Sequence, residues 1–118
     1  MTNITPKSRG AVRRIDNDIE KLMLKNRVLW RKAVENGDAA SERELTKNYQ
    51  DLWSLREKVF EARVKFEMSN LGESQAEKAL TDAAKDVRSF ADRVRTLTDI
   101  VNATAQMFSI AARIVTLL

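Results

Sequence analysis

The 118-residue chain contains no cysteine and no histidine. The first absence removes disulfides, thiol nucleophiles and thiolate metal sites. The second removes Ser-His-Asp triads, imidazole ligands and the usual proton shuttle near neutral pH. It also removes the Glu-x-x-His motif of di-iron bundles. Proline occurs only at Pro6, and glycine only at Gly10, Gly37 and Gly72. Turns should therefore be few, and no Gly-rich phosphate loop is possible. Asp16-Asn17-Asp18 lacks the Gly and distal Glu of a calcium loop. Asp82 and Asp86 stand four apart, close enough to share a cation, but a solvated acidic face is the expectation. The expectation is a non-enzyme with no cofactor and no small-molecule substrate.

What is present is charge and aliphatic surface. Charged residues make up 32% and hydrophobic ones 43%, and 21 Lys+Arg stand against 17 Asp+Glu for a net +4. The length suits one domain. The positive excess is N-terminal: residues 1–36 hold nine basic and four acidic side chains. No apolar run follows Lys7, Arg9, Arg13 and Arg14, so no signal peptide is legible. Cytoplasm is the default location. Leaderless export or membrane association would leave no mark.

Apolar residues recur at spacings of three and four throughout, which is a helical period. The expected fold is all-α: a three-helix antiparallel bundle or coiled coil forming one domain over 1–118. Helix one is placed at about 10–36. Its stripe is Val12, Ile15, Ile19, Leu22, Asn26, Leu29 and Ala33, widened by Met23 and Trp30. Asn26 either sets register as a polar residue in an apolar seam or lies at the stripe edge in water. Asn36-Gly37 is the stop. Helix two, about 41–70, opens on the capping-box pattern Ser41-Glu42-Arg43-Glu44. Its stripe is Leu45, Leu52, Leu55, Val59, Ala62 and Phe66, with Tyr49, Trp53 and Phe60 as packing neighbours.

Helix three, about 74–118, opens on a second such pattern, Ser74-Gln75-Ala76-Glu77. A 3-4 repeat then runs from Ala76 to Leu118 with no Gly or Pro, favouring one long supercoiled helix. Unbroken, it would be about 66 Å long, against about 40 Å for the other two. It would draw level with the first turn near Asn102 and overhang by about 24 Å. From Ile100 to Leu118 the only formal side-chain charge is Arg113. One seam there is Val101, Thr104, Phe108, Ala111, Val115 and Leu118. The other is Ile100, Ala103, Met107, Ile110, Ile114 and Leu117. Leaving such side chains wet costs about 1.5–3 kcal/mol each, so something must cover them. The coverings open are self-association, another helical protein, a membrane, or a break near Asn102 that folds the tail back. With no Gly or Pro at a bend, the continuous helix is expected.

The function expected is therefore assembly. The chain would associate with itself, or dock a helical partner, through Ile100, Val101, Met107, Phe108, Ile110, Ile114, Val115, Leu117 and Leu118. The alternative is a membrane-active or pore-forming subunit that inserts residues 100–118. A third reading is nucleic-acid binding through phosphate contacts from Arg9, Arg13, Arg14, Lys21 and Lys25 on basic helix one.

Overall fold

The first helix, α1 (Pro6–Glu35), ends where the sequence places its stop. Gly37 takes the left-handed conformation at φ 67°. The Asp38 N–H returns to the Ala33 carbonyl (2.9 Å) and the Gly37 N–H to the Val34 carbonyl (3.1 Å), the two bonds of a Schellman closure. The second helix, α2 (Ala39–Met68), starts on Asp38 rather than Ser41. Asp38 accepts from the Ser41 backbone N–H (3.1 Å) and from its hydroxyl (2.6 Å). The cap is therefore carboxylate-based, one turn earlier than the Ser41 pattern suggested.

This computed structural model describes residues 6–68 and 73–117, with side chains described for 10–65 and 78–113. Ser69 to Gly72 and the side chain of Ser74 lie outside the described residues, so the second helix stop and the second capping pattern are not addressed.

The expected third helix is two helices. Helix α3 (Glu73–Arg93) and helix α4 (Leu97–Leu117) are separated by Val94-Arg95-Thr96. The described fold is thus all-helical with four helices, not three. The break comes about two turns before Asn102 and needs neither Gly nor Pro. Thr96 and Asp99 form a reciprocal cap. The Asp99 N–H donates to Thr96 Oγ1 (3.2 Å), and Asp99 Oδ2 accepts from the N–H groups of Thr96 (3.0 Å) and Arg95 (2.9 Å). These free donors at the start of α4 would otherwise be orphaned. The bonds donated by the Arg95 N–H, the stronger influence, and by the Thr96 N–H hold the Asp99 carboxyl below its usual range. On the other side of the break, the Ala91 carbonyl at the end of α3 accepts from Lys25 Nζ (2.7 Å) as well as from the Val94 N–H (3.4 Å).

Two antiparallel hairpins, α1–α2 and α3–α4, stack as layers. Helix α3 lies on α1 and α4 lies on α2, which leaves α1 and α4, and α2 and α3, on the diagonals. Between the layers sits one core, with Ile19, Leu22, Leu45, Leu52, Leu55 and Ile100 fully buried. The sequence stripes map onto it closely: of the seven α1 positions, six are buried and Leu29 is half-buried.

The expected length mismatch does not arise. Thr104 of α4 bonds to Asn48 of α2, which sets the start of α4 within about one turn of the start of α2. Among the described residues no C-terminal overhang exists, because α4 is folded against the α1–α2 hairpin.

Candidate functional site: the outer face of the first hairpin

The residues expected at a docking interface on α4 serve mainly as core. Ile100, Met107 and Ile110 are buried, while Val101 and Phe108 are half-buried and pack against the same cluster. The side chains of Ile114, Val115, Leu117 and Leu118 lie outside the described ones. Both apolar seams of α4 are met by this chain's own bundle as far as they are described. Among the described residues, no helix is long and apolar enough to cross a membrane. Inserting residues 100–118 would first require removing Ile100, Met107 and Ile110 from the core.

The basic residues of α1 do not form one patch. Arg13, Arg14 and Lys21 are exposed. At about 100° per residue, Arg13 points well away from Arg14 and Lys21. Lys21 stands 3.8 Å from Asp18, and Lys25 is engaged at the end of α3. The side chain of Arg9 lies outside the described ones.

The apolar surface that does remain exposed is elsewhere. Eight large apolar side chains are exposed among the described residues, and all belong to α1 or α2: Leu24, Val28, Trp30, Val34, Tyr49, Trp53, Phe60 and Val64. Leu24 (64%) and Phe60 (61%) are the most open. All four of these aromatics, Trp30, Tyr49, Trp53 and Phe60, were expected to pack inside. Trp30 instead lies exposed on α1, and Tyr49, Trp53 and Phe60 fall on a second face of α2, beside the buried stripe of Leu45, Leu52 and Leu55. This explains why α2 has the weakest amphipathic contrast of the four helices: it is apolar on two sides. The outer face of α3–α4 presents Lys78, Asp82, Lys85, Asp86, Gln106, Ser109 and Arg113 instead.

The face has a defined shape and charge. Tyr49 and Trp53 meet edge to face with centroids 6.4 Å apart, and the Arg56 guanidinium lies 5.6 Å from the Trp53 ring centroid. Arg56 Nη2 also donates to Glu20 Oε1 at 3.0 Å, tying α2 to α1. Two grooves run between the helices. One, of about 390 Å³, is lined by Asn26, Arg27, Trp30, Leu45, Thr46 and Tyr49. The other, of about 260 Å³, is lined by Glu20, Met23, Leu24, Arg27, Tyr49 and Arg56. They share Arg27 and Tyr49, so they form one trough. Asp16 lies one turn before Glu20 on α1 and is half-buried. Burial raises its carboxyl above the usual range against the opposing pull of Arg56 and Arg63. By contrast the core cavity, lined by Ile15, Leu55 and Met107 among others, measures only about 20 Å³, room for roughly one water.

These features define a class: a four-helix bundle of two stacked hairpins, one of which carries an aromatic and cationic trough on its outer face. No known family model matches the chain, and no curated protein or solved structure matches it significantly.

Proposed function

We propose that the chain is a non-catalytic helical interaction protein, acting by association through the outer face of α1–α2. The observation that carries this reading is the placement of every described exposed large apolar side chain on that one hairpin. The core does not need them, since Ile19, Leu22, Leu52 and Leu55 already close it. Taking an aromatic side chain as about 200 Å², the eight together expose on the order of 700 Å². That approaches the roughly 800 Å² per partner of a stable interface. Tyr, Trp and Arg, the residues that dominate binding energy at interfaces, are concentrated there.

The test is a photo-crosslinking side chain placed at position 53 in cells of the source organism. A discrete crosslinked adduct that disappears when Leu24 and Phe60 are both changed to Asp supports association through this face. Absence of any adduct, with the protein folded and abundant, overturns it.

A further inference from the structure

Four charges of α1 beside the trough, Asp16, Glu20, Arg27 and Arg31, are arranged with inversion symmetry. On the outward side of α1, Asp16 and Glu20 precede Leu24, while Arg27 and Arg31 follow it. Glu20 and Arg27 are equidistant from the midpoint between Met23 and Leu24, and so are Asp16 and Arg31. In an antiparallel pair of identical helices centred there, Glu20 faces Arg27 of the other chain and Asp16 faces Arg31. Each contact occurs twice. Such a sign inversion about a point is what a two-fold interface between identical surfaces requires. A partner of different sequence gives no reason for it.

We infer that the occupant of this face is a second copy of the chain, stacked across a two-fold axis that crosses α1 beside Leu24 with the two α1 helices antiparallel. This inference rests on the reading of α1–α2 as the docking face. The same axis sets the exposed Leu24 side chains and the Tyr49–Trp53 pairs of both copies near the centre, where anchor residues exclude water best. Glu20 keeps its own Arg56 contact, because a carboxylate accepts several donors. An antiparallel stack also opposes the two α1 dipoles. The result is an eight-helix dimer whose outer layers are the polar faces of α3–α4.

Light scattering behind a sizing column tests this on the full chain at about 100 µM, where a dimer of even about 10 µM Kd is mostly formed. The expected mass is twice 13.5 kDa, or 27 kDa. Glu20→Arg sets Arg against Arg27 of the other copy, and Arg27→Glu sets Glu against Glu20. Each is expected to weaken dimerisation at least about tenfold. Combining the two restores opposite signs and should return the affinity to within about threefold of the parent. The Glu20–Arg56 pair stays broken in the combined variant, so recovery reports the contact between chains alone. All three positions of change are exposed, and circular dichroism verifies the fold; Leu24→Asp should also give monomer. A 13.5 kDa monomer for the parent, a trimer or larger, or no recovery in the combined variant overturns the second copy. If the parent is monomeric yet position 53 crosslinks in cells to a product of another mass, the inference fails while the docking face stands. A monomer with no adduct removes both.

Discussion

Asn48 Nδ2 donates to Asn26 Oδ1 at 3.0 Å inside the bundle, joining α2 to α1 through two buried amides. Asn26 Nδ2 passes the chain of bonds on to the Leu45 carbonyl at 3.0 Å. Asn48 Nδ2 also reaches Thr104 Oγ1 of α4 at 3.3 Å, and that hydroxyl donates to the Ile100 carbonyl at 2.8 Å. Among the described residues no buried side-chain nitrogen or oxygen lacks a partner. The layer therefore fixes the relative register of three helices. A slip of one turn would set these amides against leucines such as Leu22 and Leu52, at about 1–3 kcal/mol for each orphaned group.

The network should show the asymmetry between breaking and replacing polar pairs. Asn48→Leu alone leaves Asn26 Oδ1 buried without its donor and is expected to cost about 1–3 kcal/mol. Changing Asn26 and Asn48 to Leu together with Thr104→Val should recover most of that loss. Urea titration of both variants measures it. A triple variant as unstable as the single one would show that the amides contribute packing rather than a hydrogen-bonded layer.

Lys25 ties α1 to the end of α3. Lys25→Met keeps the aliphatic stem but deletes the donor to Ala91. The expected loss is about 1 kcal/mol. Faster amide exchange should be confined to the end of α3 and the turn at Val94-Arg95-Thr96. Unchanged exchange there would show that the contact does not hold this turn.

The break between α3 and α4 depends on a cap laid over an uninterrupted apolar repeat. Changing Arg95, Thr96 and Asp99 to Ala removes the cap and supplies good helix formers. A continuous helix exposes the α4 seams, which a second chain would then have to cover by exchange. The native mass should double relative to the parent. A variant of parental mass and parental helix content would show that packing against α1 and α2 alone dictates the bend.

Acid should act in opposite senses at different carboxylates. Asp38 and Asp99 are held below the usual range by donated hydrogen bonds, those from Ser41 and from the Arg95 backbone N–H respectively. Their support is present above the ordinary carboxylate value of 3.8. It is lost as pH falls through their depressed folded values. Asp16 is raised by burial. Its folded form binds the proton more tightly, so its contribution turns unfavourable as pH rises from 3.8 through the folded value and stays so at neutral pH. Asp16→Asn should therefore melt higher than the parent at about pH 7 and converge with it near about pH 3. Thermal melts in a Leu24→Asp background separate this from association. A lower melting temperature at neutral pH would show that the attraction of Arg56 and Arg63 outweighs burial.

Much of the helical content was legible because burial on one side writes a 3-4 period into the chain. Val12, Ile15, Ile19 and Leu22 could be assigned to a core without knowing what they touch, and Gly37 marked its turn through backbone freedom. The break at Thr96 carried a signal too, since Thr96-Leu97-Thr98-Asp99 has the spacing of a capping box. The unbroken repeat from Ala76 to Leu118 obscured it. A heptad seam is the same whether a helix runs straight on or doubles back, because both forms bury the same side chains.

The docking face was less accessible. Tyr49, Trp53 and Phe60 have the spacing and chemistry of core residues, and nothing in their order distinguishes a second buried face from an exposed one. The sequence by itself determined the all-helical class, the first turn and most of the residues that had to be buried. Only the tertiary structure decided which apolar faces had partners. The fold-back of α4 covers α2 along Leu52 and Leu55, leaving Trp53 and Phe60 outside. That choice turns on the relative placement of whole helices, a non-local balance of packing and loop geometry that local periodicity does not encode.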